Sequence, residues 1–152
     1  MSFRETALEI IREKIRGAYW IREPLVGFAD VSSAHIRGLR SSAADDHLMP
    51  EDVLPEAEII ISYFLPFTRA AGECNRDGDF PSQLWADLYN RTNALITEIN
   101  EALVSALEAE GVKAAVPAGG FDTERLLSRW SQRHVAEAAG LGTFGVNNML
   151  IT

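Results

Sequence analysis

Residues 82–110 read SQLWADLYNRTNALITEINEALVSALEAE. Leu84, Leu88, Leu95, Ile99, Ala102, Leu103, Ala106 and Leu107 recur three and four residues apart, so they share one side of a helix. Ser82 precedes the run and Gly111 ends it. A helix of that length extends roughly 40 Å, at 1.5 Å per residue. An apolar stripe that long has to be covered, so other elements must pack along it.

A second helical pattern stands at the start of the chain. Ser2-x-x-Glu5 has the spacing of a capping box. Leu8, Ile11, Ile15 and Ala18 then recur at helical spacing among charged residues, which predicts an amphipathic helix ending near Gly17 to Trp20. Leu25 to Ala29, after Pro24, reads as a short strand. Val31-Ser32-Ser33 can cap a short helix through Leu39, and 41–50 is polar enough to read as a loop. Glu58 to Pro66 is β-branched, almost continuously apolar and stopped by proline. It predicts a central strand covered on both faces. Residues 67–81 read as a long loop. Lys113 to Ala118 predicts another strand, broken by Gly119-Gly120. Thr123 can cap a helix over 124–139, and Asn148 to Thr152 reads as a last strand. There is no internal repeat and no low-complexity tract. Alternating helices and strands imply a single α/β domain over residues 1–152.

Composition narrows the function classes. The 152 residues carry a formal charge of −8, and no long basic stretch offsets it. An acidic surface repels a phosphate backbone, so nucleic acid is not an expected partner. One cysteine, Cys74, cannot make a disulfide framework, a structural zinc site or an iron–sulfur cluster, and no metal ligands are assigned. The N-terminus lacks a signal-peptide pattern and the apolar runs are too short to span a bilayer. The expectation is a soluble, cytoplasmic protein with no membrane partner.

The segment AAGLGTFGVNNMLIT, residues 138–152, contains G-x-G-x-x-G at Gly140, Gly142 and Gly145. A dinucleotide-binding loop with that spacing follows a strand and opens a helix, whose N-terminus receives the pyrophosphate. Here a predicted helix runs into Gly140 and a strand-like segment follows, which rejects that reading. Gly140 suits a helix C-cap. Gly142, Gly145, Asn147 and Asn148 imply backbone lying close against something, either another strand or a large flat ligand.

WSQRHVAEAAGLGTFGVNNMLIT, residues 130–152, resembles the AGLG-x-x-G-x-N-x-x-L-I segment of epoxyqueuosine reductases and corrinoid reductive dehalogenases. LVGFADVSS and AEIIISYFLPF are similar to earlier strands of that superfamily. The resemblance implies a nitroreductase-like layered sheet with flanking helices, binding cobalamin base-off. Gly140, Leu141, Gly142, Thr143, Gly145 and Asn147 would be its cofactor-binding residues. It also implies a following ferredoxin-like part carrying two [4Fe–4S] clusters. The chain ends at Thr152 before any such cysteines, so the expectation is a cofactor-binding region truncated ahead of its iron–sulfur domain, inactive without an external reductant. Phe121-Asp122-Thr123 resembles the start of the V-D-x-x-P segment whose aspartate is the proposed proton donor in epoxyqueuosine reductases, though the proline is missing here.

Asp122 and His134 are therefore the candidate catalytic residues, as proton donors. The simpler readings are that Asp122 and Thr123 cap the following helix and that His134 is a hydrogen-bonded structural residue. Arg133 can grip an acidic ligand edge or pair with Glu137 four residues on. Trp130, Phe144 and Tyr63 border a pocket or fill the core, and Cys74 has no activating base near it in sequence. The partners in view are a small-molecule substrate or cofactor and a homodimer. Two alternatives use the same residues: a flavin-binding nitroreductase-like domain, or a non-enzymatic scaffold or dimerisation domain.

Overall fold

The capping box at the start of the chain forms as the sequence requires. In the computed structural model, which describes residues 2–118 and 121–152, the Ser2 amide donates to Glu5 Oε2 at 2.8 Å and the Glu5 amide donates to Ser2 Oγ at 3.3 Å. They start helix α1 (Phe3–Lys14). The helix α5 (Arg69–Glu73), capped by Thr68, and the long helix α6 (Gln83–Ala109), capped by Ser82, follow later in the chain. Residues 26–64, between α1 and α5, belong to a separate unit. The chain divides into two compact units, Met1–Leu25 with Leu65–Lys113, and Val26–Phe64 with Ala114–Thr152.

In the first unit α1 packs along α6. Ala7 and Ile11 of α1 are buried, as are Leu88, Leu95, Ile99, Leu103 and Leu107 of α6. Leu84, at the start of the expected stripe, is exposed. The Thr6 hydroxyl donates to Glu110 Oε1 at 3.0 Å, tying the start of one helix to the end of the other. After α1 the chain turns at Gly17, whose φ of 93° favours glycine, and buries Trp20 against α6. The Trp20 indole N–H donates to Thr92 Oγ1 at 2.9 Å, and the Thr92 hydroxyl donates to the Leu88 carbonyl at 2.7 Å. An antiparallel bridge at Ile21 and Phe67 joins the two stretches, with the Arg22 amide on the Pro66 carbonyl and the Thr68 amide on the Trp20 carbonyl, both at 2.8 Å. The expected long loop over 67–81 thus contains the one short helix α5.

In the second unit β1 (Leu25–Asp30) pairs with β2 (Ile59–Phe64) in a two-stranded sheet. Asp30 accepts from the amide and hydroxyl of Ser32, and Ser33 caps α2 (Ala34–Arg37). The short helices α3 (Leu39–Ser42) and α4 (Pro50–Val53) follow. The hairpin β3 (Phe121–Asp122) and β4 (Leu127–Ser128) precedes α7 (Gln132–Ala138). A second hairpin, β5 (Thr143–Phe144) and β6 (Leu150–Ile151), closes the chain. Ala29, Ile36, Leu39, Met49 and Val135 form the core, with Ile60, Trp130, Ala138 and Ala139 packed on it.

The molecule is a mixed helix-and-strand protein, and several sequence expectations need correcting. β2 is half-buried, and Phe64 at its end is exposed, because its sheet has two strands and not the layers a central strand requires. Residues 124–131 are not helical. The Asp122 carboxylate accepts from the Glu124 and Arg125 amides at 2.9 Å, and Leu126 adopts φ of 54°. That turn reverses the chain into a hairpin, so α7 starts eight residues later than expected. Residues 113–118 have no regular structure, and Gly119-Gly120 lie outside the described residues.

Thr92→Val removes the acceptor of a buried indole N–H while keeping the side-chain shape. It is expected to lower stability by about 1–3 kcal/mol, whereas Thr92→Ser retains the hydroxyl. Urea unfolding followed by tryptophan fluorescence measures both. Equal stabilities would show that the Trp20–Thr92 bond carries no weight.

Candidate functional site

The candidate site is the segment 130–152, which lies within the second unit. Val135 anchors α7 in the core. At the end of α7, Gly140 adopts φ of 75°. Its amide donates to the Glu137 carbonyl and the Leu141 amide to the Ala136 carbonyl, both at 2.9 Å. These are the paired bonds of a Schellman ending, and they need a residue without a Cβ penalty at that position. The same turn buries Leu141. It also brings the end of α7 onto β1, where a Cβ at Gly27 would overlap the Ala139 carbonyl oxygen and sit 3.0 Å from Leu141. No reading of the sequence singles out Gly27. Its requirement comes from a segment more than a hundred residues away.

The other two glycines face the chain itself. A Cβ at Gly142 would overlap the Ile151 carbonyl oxygen, and one at Gly145 would lie 2.9 Å from Ile151 Cδ1. The close neighbour implied by the sequence is therefore β6. The asparagines make the turn of the hairpin. Asn148 takes φ of 59°, Asn147 Oδ1 accepts from the Met149 amide at 3.2 Å, and the Gly145 amide donates to the Met149 carbonyl at 2.8 Å. No helix begins at this segment, which agrees with the rejection of a dinucleotide phosphate loop.

α7 holds the hairpin by side chains. The His134 ring lies 4.7 Å from the Phe144 ring, and Arg133 donates to the Asn148 carbonyl. Glu137 accepts from the Phe144 amide at 3.3 Å. Arg133 and Glu137, expected as a pair, both bind the hairpin. His134 Nδ1 lies 2.7 Å from Ser131 Oγ. Desolvation and then the Arg133 charge hold its imidazole below the ordinary histidine range, against the opposing effects of Glu137 and the Ser42 backbone.

Asp122 sits elsewhere, exposed in the β3–β4 turn, where it binds the Glu124 and Arg125 amides. Arg125 in turn grips Asp46 with two nitrogens, at 2.5 and 3.3 Å. Tyr63 is half-buried on β2, and burial raises its phenol pKa, which keeps the proton on. Cys74 belongs to the first unit, with its thiol 3.0 Å from the Ala71 carbonyl. Trp130 lies on the core, 5.6 Å from the ring of His47.

His47 is the residue that sequence reasoning missed. It lies in the stretch read as a polar loop, yet it is fully buried. Its Nε2 accepts from the Ser131 amide at 2.8 Å, so Nδ1 carries the proton and donates to the Leu48 carbonyl. The side chain thereby fixes the start of α7.

Two observations decide what a corrinoid could use here. The spaces beside Gly142 and Gly145 are taken by β6, so these two glycines do not form a cradle for a macrocycle. Gly140 has open space where a Cβ would project, and Thr143, Val146, Asn147, Met149 and Ile151 of the same segment are exposed. These exposed positions are the ones a broad ring could reach. Among the described residues there is no group of three or more His, Cys, Asp and Glu side chains that could hold a metal ion. Among them too, no helix is long and apolar enough to cross a membrane. No protein-family model, curated protein or solved structure matches the chain.

Gly142→Ala forces a Cβ onto the β6 backbone and is expected to destabilise by about 1–3 kcal/mol. Gly140→Ala meets open space and bears only the cost of a left-handed alanine, about 1 kcal/mol. Thermal unfolding, with amide exchange read at 143–151, separates them. Greater damage from Gly140→Ala would overturn this ranking.

The lowered His134 pKa carries a sign. As pH falls through the unfolded-state value of about 6.5, the unfolded chain binds a proton that the folded chain resists, so stability falls and then levels off below the folded pKa. The lowered carboxylates Glu5, Asp30 and Asp46 act only at more acidic pH. Between pH 7.5 and 5.5 the urea midpoint of wild type is expected to drop more than that of His134→Gln. Parallel profiles would remove His134 as the cause.

Proposed function

We propose that the chain is the corrinoid-binding part of an epoxyqueuosine-reductase-like reductive iron–sulfur protein, with a nitroreductase-like layering as the finer description of its fold. One observation carries this reading. The segment that resembles the family, 130–152, forms one continuous block from Trp130 through α7 to the hairpin, with Gly140 and an apolar edge turned outward. Val146, Met149 and Ile151 are all largely exposed there, at 112%, 60% and 62%. Apolar side chains grouped in this way favour a surface that is covered in use.

A bound corrinoid would supply the reductive chemistry at its cobalt, with electrons from iron–sulfur clusters in a further domain. The protein residues have separate tasks. Gly140, Thr143 and Asn147 lie on the exposed side, Leu141 anchors the segment from its buried side, and Gly142 and Gly145 let the β6 backbone pack against it. His134, whose pKa is lowered chiefly by desolvation and whose ring lies against Phe144, is the proton-carrying group of this reading; Asp122, the other candidate, lies in the β3–β4 turn with its carboxylate held by two backbone amides. The substrate is a small organic molecule.

The packing of Gly142 and Gly145 against Ile151 favours a second reading, in which the glycines serve only the hairpin and the unit is a non-enzymatic scaffold or dimerisation domain. Titration of the chain with cob(II)alamin, followed by absorbance and EPR, tests the choice. Saturable binding with a base-off signal, weakened by charged substitutions at Val146 or Met149, is the expected result. Binding of FMN in its place would replace the corrinoid with a flavin. Binding of neither, together with a concentration-dependent dimer in sedimentation that Val146→Asp disrupts, would establish the scaffold.

A further inference from the structure

Most guanidinium groups of this acidic protein are spent on its own oxygens. Arg12, Arg37, Arg40, Arg69 and Arg125 pair with carboxylates, and Arg22, Arg129 and Arg133 donate to carbonyls. Lys14, Arg16, Arg76 and Arg91 are different, and three of them, Lys14, Arg16 and Arg91, lie together. Among the described residues none of the three has a carboxylate within ion-pair distance, and all three line one open, shallow cleft on the surface of the first unit.

The cleft is built by local geometry. Lys14 ends α1, Arg16 follows in the turn, and Gly17 at φ of 93° redirects the chain so that Trp20 packs against α6. Arg91 comes from α6, its guanidinium carbon 4.3 Å from the centroid of the Trp20 ring. The indole is itself fixed by its bond to Thr92. A guanidinium stacked on a fixed ring is held in one plane while its N–H edges stay available to a ligand. Glu98, one carboxylate against three cations, also lines the cleft.

We propose that this cleft is an anion-binding site for a small organic phosphomonoester. Arg91 donates in plane to the phosphate, Lys14 and Arg16 supply the remaining charge, and Glu98 accepts from a hydroxyl on the organic part. Two negative charges and three terminal oxygens match three cations on one cleft better than a single carboxylate does. The local positive field of the cleft also offsets the repulsion expected from a chain of formal charge −8.

The test is calorimetric titration of the full chain with ribose 5-phosphate, ribose and inorganic phosphate at constant ionic strength, with Trp20 fluorescence as a second signal. Saturable binding of ribose 5-phosphate is expected, with inorganic phosphate weaker and ribose silent. Arg91→Gln should weaken it about tenfold or more, and Lys14→Gln and Arg16→Gln by less. Glu98→Gln should tighten inorganic phosphate and loosen the preference for the sugar phosphate. No saturation by about 10 mM ligand, equal affinity in Arg91→Gln, or the same response to sodium chloride would each overturn the proposal. Should Arg91→Gln fail to fold, the opposite effects of Lys14→Gln and Glu98→Gln on phosphate affinity decide it.

Discussion

A neutral imidazole with both nitrogens engaged holds the second unit together. Burying an unpaired polar ring costs several kcal/mol, on the order of 2–7 for a group with no partner. His47 avoids that cost by taking a hydrogen bond from Ser131 and giving one to Leu48. The stretch 41–50 can then turn inward and place Met49 in the core. Trp130 lies against the imidazole, α7 begins at Gln132, and Val135 meets Ile36 and Leu39. Everything after residue 130 takes its position from this point.

The hairpin that follows shows how one glycine spacing can meet three separate steric demands. Gly140 ends a helix by its positive φ. Gly142 admits a strand backbone, and Gly145 admits the side chain of Ile151. The spacing is that of a phosphate-binding loop, but no helix starts there to receive an anion. What distinguishes the cases is the order of the flanking elements and the atom that fills the missing Cβ. The hairpin also leaves the apolar side chains of Val146, Met149 and Ile151 exposed.

The first unit depends on a different kind of order. α6 supplies a long apolar stripe, α1 covers part of it, and Trp20 locks the following turn through Thr92. The same tryptophan orients Arg91. A structural hydrogen bond and a presented cation thus share one indole.

Several features were legible in the sequence because they rest on contacts only a few residues apart. The capping box at Ser2 and Glu5, the helix behind Ser82, the Ser33 cap and the Gly140 ending each involve neighbours in the chain; Asn148, read as the start of the last strand, instead turns the hairpin. Apolar runs bounded by proline likewise placed β1 and β2. Local chemistry did not reveal partners chosen across the fold. Nothing in ADDHLMP marks His47 as buried, since the amide that donates to its ring comes from a segment 84 residues on. Helix propensity over 124–131 lost to an Asp122 turn whose Arg125 is held by Asp46. The half-buried character of β2 follows from how many strands its sheet has, which no single strand encodes. The sequence by itself determined the elements whose caps and stripes are local. Tertiary structure alone decided which backbone lies against Gly27, Gly142 and Gly145, because a missing side chain records that something comes close without recording what does.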